Sequence, residues 1–256
     1  LYVIINIHWE GGWLNHPVDA NKEALDERLE AMWKQIALRF RDYDDRLLFA
    51  GTNEVNNDDA NGAQPTEENY RVQNGFNQVF VNTVRATGGR NHYRHLIVQA
   101  YNTDVAKAVA HFTMPLDIVQ NRIFLECHYY DPYDFTIMPN DENFKSQWGA
   151  AFAGGDVSAT GQEGDIEATL SLLNVFINNN VPVIIGEYGP TLRDQLTGEA
   201  LENHLKSRNE YVVKTCVKNK LVPLYWDAGY TEKLFDRTTG QPHNAASIAA
   251  IMKGLN

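Results

Sequence analysis

Cysteine is scarce in this chain: 256 residues hold two, Cys127 and Cys216. They form no CxxC pair and no metal-ligand cluster, so a disulfide scaffold and a zinc ribbon are excluded, and two buried free thiols are the plain reading. Basic charge is also in short supply. Twenty-two Lys and Arg face 33 Asp and Glu, a net charge of −11. Nucleic acid and anionic membranes both call for a basic face, so neither is expected as a partner. No apolar run reaches the length of a membrane span. No signal peptide is visible, although the chain opens directly in a strand. A GxGxxG phosphate loop after a strand is missing, which weakens any nucleotide-binding reading. HxH and HExxH signatures are missing too, so a metal-dependent hydrolase built on His8, His128 and Glu187 has little support, and no metal or cofactor is expected.

What is present is an alternation of apolar runs and helical periodicity. Leu1–Ile7 is β-branched and ends at Asn6-Ile7-His8-Trp9. Asn21–Arg41 repeats Leu25, Leu29, Met32, Trp33, Ile36 and Phe40 at helical spacing. Leu47–Thr52 is a second strand, followed by a polar loop with Asn or Asp at 56–59. Thr66-Glu67-Glu68 opens a helix that runs to Ala86 and stops at Gly88-Gly89. Then come a strand at His95–Ala100, a short helix at 104–111 and a fourth strand leading into Cys127-His128-Tyr129-Tyr130. In that strand Cys127 and His128 should face opposite ways. A long loop from Asp131 to Gly164 precedes a helix over Asp165–Asn178. Pro182 opens a fifth strand that ends on Gly186-Glu187, and Gly189 and Pro190 close it. A helix over Gly198–Lys218, a strand over Leu221–Trp226 and a helix over Ala245–Lys253 complete the pattern.

Strands alternating with helices imply a parallel sheet with right-handed crossovers, doubly wound or closed as a (β/α)₈ TIM barrel. The barrel is the better fit, although six of its eight β/α units are visible. Residues 1–256 are taken as a single catalytic barrel domain. In such a barrel the chemistry gathers at the C-terminal strand ends. Those ends carry His8, Asn53 with Glu54, Gln99 to Tyr101, His128 with Tyr130, Glu187, and Trp226. One glutamate at a strand end is commonly a cap or an ion-pair partner. Two, each following Asn or Gly at the same strand position, predict a catalytic carboxylate pair. One would protonate a leaving oxygen; the other would attack the anomeric carbon or activate water. Aromatic residues make up 11% of the chain, enough to supply flat stacking surfaces for a neutral polysaccharide. Trp13 and Trp148, both in loops, could serve as sugar platforms or as loop plugs.

The ordered set Asn6-Ile7-His8, Thr52-Asn53-Glu54, His128-Tyr129-Tyr130, Gly186-Glu187-Tyr188-Gly189 and Trp226-Asp227 resembles glycoside hydrolase family 5, in its bacterial endo-β-1,4-glucanase style. The resemblance spans nearly the whole chain. It implies a retaining endo-acting hydrolase of cellulose, mixed-linkage glucan or xyloglucan, secreted or periplasmic, monomeric and without cofactor. Glu54 would be the acid/base and Glu187 the nucleophile. Asn53 would hold the sugar 2-hydroxyl, and His128 and Tyr130 would flank the nucleophile. His8 would line a subsite or support the acid, and Trp226 would be the stacking floor. An endo-β-1,4-mannanase and a non-catalytic carbohydrate-binding barrel are the alternatives. The family also carries an arginine on its second strand, with no counterpart here. The sequence is therefore expected to start at the third strand of the barrel, with two β/α units outside it. Ala228-Gly229-Tyr230 departs from the family pattern and leaves the outer subsites open.

Overall fold

The computed structural model describes residues 1–57, 64–138, 143–189, 199–229 and 233–256. Asp58 and Asp59 of the polar run, Pro190, Gly198 and Tyr230 lie outside the described residues. The described strands are all parallel, and their hydrogen-bonded order is the chain order, β1 (Val3–Asn6), β2 (Leu47–Ala50), β3 (Leu96–Gln99), β4 (Ile123–Tyr129), β5 (Val183–Tyr188) and β6 (Val222–Tyr225). Sequential neighbours of this kind require a crossover each time, which the helices supply.

The chain forms two compact units. The first comprises Leu1–Cys127 and Val175–Val183. Its strands run in simple register: Val3 pairs with Leu47, Phe49 with Leu96, and Gln99 with Glu126. The start of β5 joins here, where the Leu125 N–H donates to the Pro182 carbonyl at 3.0 Å. Helices α1 (Asp19–Arg39) and α2 (Glu67–Ala86) cover the sheet. Leu29, Trp33 and Ala37 of α1 and Val72, Phe76, Phe80 and Val84 of α2 are fully buried with Phe49, Leu96 and Val98. Burying side chains of this size contributes about 1.5–3 kcal/mol each. Trp33 sits within 4.6 Å of the Phe80 ring, and its Nε1–H donates to the Gly51 carbonyl at 2.8 Å. Gly51 has to be glycine: a Cβ there would lie 2.6 Å from the Phe80 ring.

Local signals fix the ends of these elements. Helix α2 starts where the acidic Thr66-Glu67-Glu68 opening predicts, and Thr66 and Asn69 form a reciprocal capping box there. Asp104 caps the short α3 (Val105–His111) by accepting from the Lys107 N–H at 2.8 Å. The turn between α1 and β2 is tied from further along the chain. Buried Arg94 donates to the carbonyls of Phe40, Tyr43, Asp44 and Leu47 at 2.6–3.0 Å, and its Nε–H donates to Asn91 Oδ1.

The second unit comprises His128–Asn174 and Ile184–Asn256. Ile184 pairs with Val222 and Tyr188 with Tyr225, with an irregularity between Ile185 and Tyr188 where Gly186 and Glu187 stand. The helix expected over Asp165–Asn178 is broken into α4 (Glu163–Ser171) and α5 (Asn174–Ile177). The Leu172 and Leu173 N–H groups reach back only three residues, to Thr169 and Leu170, which tightens the last turn of α4 and ends it. In the sequence Ile166, Leu170, Leu173 and Ile177 keep helical spacing, so periodicity alone runs across the break. Helices α6 (Glu199–Lys218) and α7 (Ala245–Gly254) pack together, with Gly254 close against Val213, and Val212, Val213 and Cys216 of α6 are buried. Cys127 and Cys216 are buried free thiols, and burial pushes both thiol pKa values up. No helix among the described residues is long and apolar enough to cross a membrane.

Candidate active site

In the first unit the chemistry-bearing residues follow the last residues of β1, β2 and β3. Asn6 Nδ2 and His8 Nδ1 lie 3.2 Å apart, and the His8 backbone N–H donates to Glu10 Oε1. Asn53 is buried and Glu54 half-buried just beyond β2. Glu54 has a φ of 46°, a left-handed conformation uncommon for a residue with a Cβ. Its N–H consequently leaves the strand ladder and donates to Gln99 Oε1 at 3.2 Å. Its carbonyl accepts from Asn56 Nδ2 at 2.8 Å. The loop that follows β1 is joined to this segment, since Asn56 accepts the His16 N–H at its carbonyl and donates its own N–H to Asn15 Oδ1.

In the second unit three of the expected residues meet. Tyr130 donates its hydroxyl hydrogen to Glu187 Oε2 at 2.7 Å. His128 Nδ1 stands 3.7 Å from the same oxygen. Glu187 and His128 are each 8% exposed, so this oxygen is largely sheltered from water. Glu187 Oε2 is thus held by a charge-assisted type of contact, between the Tyr130 hydroxyl and the His128 imidazole. Trp226 follows β6, where its N–H donates to the Tyr188 carbonyl at 2.9 Å, and its side chain is 38% exposed. It is a surface indole rather than a core one. The neighbouring Asp227 is pushed up by burial but held lower overall, because it accepts the N–H groups of Leu234 and Gly229.

The two loop tryptophans are plugs. Trp148 is 3% exposed and donates to the Gly161 carbonyl, and half-buried Trp13 packs on the first core with the Arg28 guanidinium 4.4 Å over its ring.

Two further residues escape a reading of strand ends. Glu126 is buried one pleat before His128, and Glu126, His128 and Tyr130 recur at the strand period of two. That alternation is visible in the sequence. Arg208 is fully buried on α6 and donates through Nε and Nη2 to the Asp131 carbonyl at 3.1 and 2.7 Å. Burial lowers its guanidinium pKa to about 10, and it remains a cation at neutral pH. Thr136 Oγ1 donates to the Tyr130 carbonyl next to it, so the segment carrying the Tyr130 ring is gripped at two successive carbonyls. The sequence signal for Arg208 is a charged residue in the apolar stripe of Leu205, Val212 and Cys216.

A family model described as Cellulase (glycosyl hydrolase family 5) matches residues 1–232. The chain is 98% identical over its whole length to a xyloglucan-specific endo-beta-1,4-glucanase, BoGH5A, of Bacteroides ovatus, of which it covers 52%. It is 34% identical to endoglucanase A of Paenibacillus barcinonensis, covering 68% of that protein. Among solved structures it matches a Bacteroides ovatus GH5 xyloglucanase in complex with a XXXG heptasaccharide at a TM-score of 0.96, over 100% of this chain and 56% of that one. A family 5 xyloglucanase from Paenibacillus pabuli matches at a TM-score of 0.91 with 35% identity, over 100% and 76%. The chain thus spans about half the length of the first of these relatives. It belongs to glycosyl hydrolase family 5.

Proposed function

We propose that this chain is a retaining endo-β-1,4-glucanase with xyloglucan as its substrate. The observation that carries the reading is the strand-end Glu187, sheltered and hydrogen-bonded by Tyr130, in a chain of family 5. The six parallel strands are read as six of the eight of a (β/α)₈ barrel, with residues 1–256 in one catalytic domain. The relatives are endoglucanases and xyloglucanases, which favours glucan over mannan and hydrolysis over binding alone.

In this reading Glu187 attacks the anomeric carbon as the glycosidic oxygen departs. Glu54 gives that oxygen its proton, and a glycosyl ester forms on Glu187. Glu54 then takes a proton from water, the water attacks the same carbon, and Glu187 leaves with the anomeric configuration retained. Tyr130 and His128 hold the attacking carboxylate, Asn53 binds the 2-hydroxyl, Trp226 stacks under the sugar, and His8 lines a neighbouring subsite. No cofactor enters. A polymeric substrate does not cross a membrane, which favours a secreted or surface-exposed enzyme, and the chain is read as a monomer.

The test is hydrolysis of xyloglucan, mixed-linkage glucan and mannan, with the first-formed anomer identified by proton NMR. Xyloglucan is expected to be cut to β-anomers. Glu187→Gln and Glu54→Gln should each lower kcat by about 10²–10⁴-fold. Full activity in either variant, or an inverted product, would overturn the reading.

A further inference from the structure

Gln99 is fully buried at the end of β3, and its side chain bridges two groups on the neighbouring segments. Its Oε1 accepts the Glu54 N–H at 3.2 Å and the Thr52 hydroxyl at 3.4 Å. Its Nε2 donates to Glu126 Oε2 at 2.9 Å, on the adjacent strand where Gln99 and Glu126 are register partners. A backbone donor and a carboxylate acceptor can be bridged at this length only by a group with an acceptor at one end and a donor at the other. The amide is therefore oriented by its partners. The backbone of Gln99 is fixed as well: Asn77 Nδ2 and Gln73 Nε2 of α2 both donate to its carbonyl, at 2.8 and 3.2 Å.

The group at the far end of this relay is the left-handed backbone of Glu54. Such a conformation, in a residue other than glycine, persists where the surroundings over-determine it. Here the Glu54 N–H is held by Gln99 and its carbonyl by Asn56 Nδ2, and the first of these bonds is the one that the relay carries. That conformation sets the direction in which the Glu54 side chain leaves β2. We propose that Gln99, anchored by the Glu126 carboxylate, is a positioning residue for proton transfer by Glu54. Glu126 serves as a fixed acceptor in this role and takes no proton from the substrate. The proposal rests on the reading of Glu54 as the acid/base.

A residue that aims a general acid matters in proportion to how much protonation the leaving group needs. The experiment measures kcat/KM of the full chain on two substrates. Xyloglucan has a poor leaving group that must be protonated. 2,4-Dinitrophenyl β-cellobioside has a leaving group that departs unaided. Gln99→Met keeps length and removes both ends of the bridge. Its kcat/KM on xyloglucan should fall about 10–100-fold, while that on the aryl glycoside stays within about threefold. A merely structural role would lower both together, and that parallel loss, or no loss at all, would overturn the proposal.

Gln99→Glu keeps the shape and tests the proposal should the methionine variant fail to fold. The introduced carboxyl faces Glu126. When protonated it still donates to Glu126 and accepts from the Glu54 N–H; when ionised it repels Glu126. The xyloglucan-specific defect should therefore be small at acidic pH and grow as pH rises. A pH profile superimposable on that of the unaltered chain would overturn the proposal. Full activity of Glu54→Gln would instead remove the acid/base reading, a different result from any Gln99 outcome.

Discussion

Replacing Tyr130 by phenylalanine deletes one oxygen and leaves the ring. The hydroxyl donates to a sheltered carboxylate at 2.7 Å, and a hydrogen bond to a charged group contributes about 1.5–3 kcal/mol. Tyr130→Phe should accordingly lower kcat/KM about 10- to 100-fold, read by steady-state kinetics, with a smaller drop in thermal midpoint than Arg208→Met gives. Arg208→Met should cost both quantities, because it frees the Asp131 carbonyl and removes a fully buried cation from the second unit; the two measurements together separate the residues. His128, Tyr130 and Glu187 were legible because each stands at or just beyond a strand end with a side chain of recognisable chemistry. Gln99 and Glu126 were less so. Their meaning lies in a cross-strand register, Gln99 opposite Glu126, and register is a property of two strands that no single run of sequence displays. Arg208 was hidden for a different reason: its partner is a backbone carbonyl, and every residue has one.

At the level of elements, α1 and α2 pack closely against the end of β2. Gly51→Ala would drive a methyl group into the Phe80 ring. Overpacking of this kind costs about 1–3 kcal/mol, and a denaturant midpoint would register it. The connection after α3 offers a pH-dependent counterpart. Arg85 and Asp117 form a bidentate pair at 2.7–2.8 Å, each side chain under a tenth exposed. Burial alone would push the Asp117 carboxyl up, but the Arg85 hydrogen bond and charge, with the Val119 N–H, hold it below its ordinary value of 3.8. The stabilisation is thus complete above that ordinary value and disappears as pH falls through the lower, folded one. Asp117→Asn should flatten the acid limb of a stability–pH curve and, at neutral pH, cost about 3–5 kcal/mol by leaving Arg85 buried without its counter-charge. The strands were legible as elements because apolar runs bounded by Gly and Pro admit few other readings. The division of 163–177 into α4 and α5 was not, because Ile166, Leu170, Leu173 and Ile177 keep helical spacing across a break made by backbone hydrogen bonds alone.

For the molecule as a whole, a charge of −11 leaves neutral glucans indifferent to salt and repels anionic ones. The rate on carboxymethyl cellulose relative to hydroxyethyl cellulose should rise with ionic strength; a ratio independent of salt would show that charge near the site differs from the total. Fold class was legible from the strand–helix alternation, since parallel neighbours need crossovers. One consequence concerns the order in which the chain acquires its shape. The turn between α1 and β2 is clasped by Arg94, which lies 47 to 54 positions after the carbonyls it grips. During synthesis that turn leaves the ribosome well before its clasp does. Residues 40–47 then have to wait for a later segment before these four carbonyls find their partner.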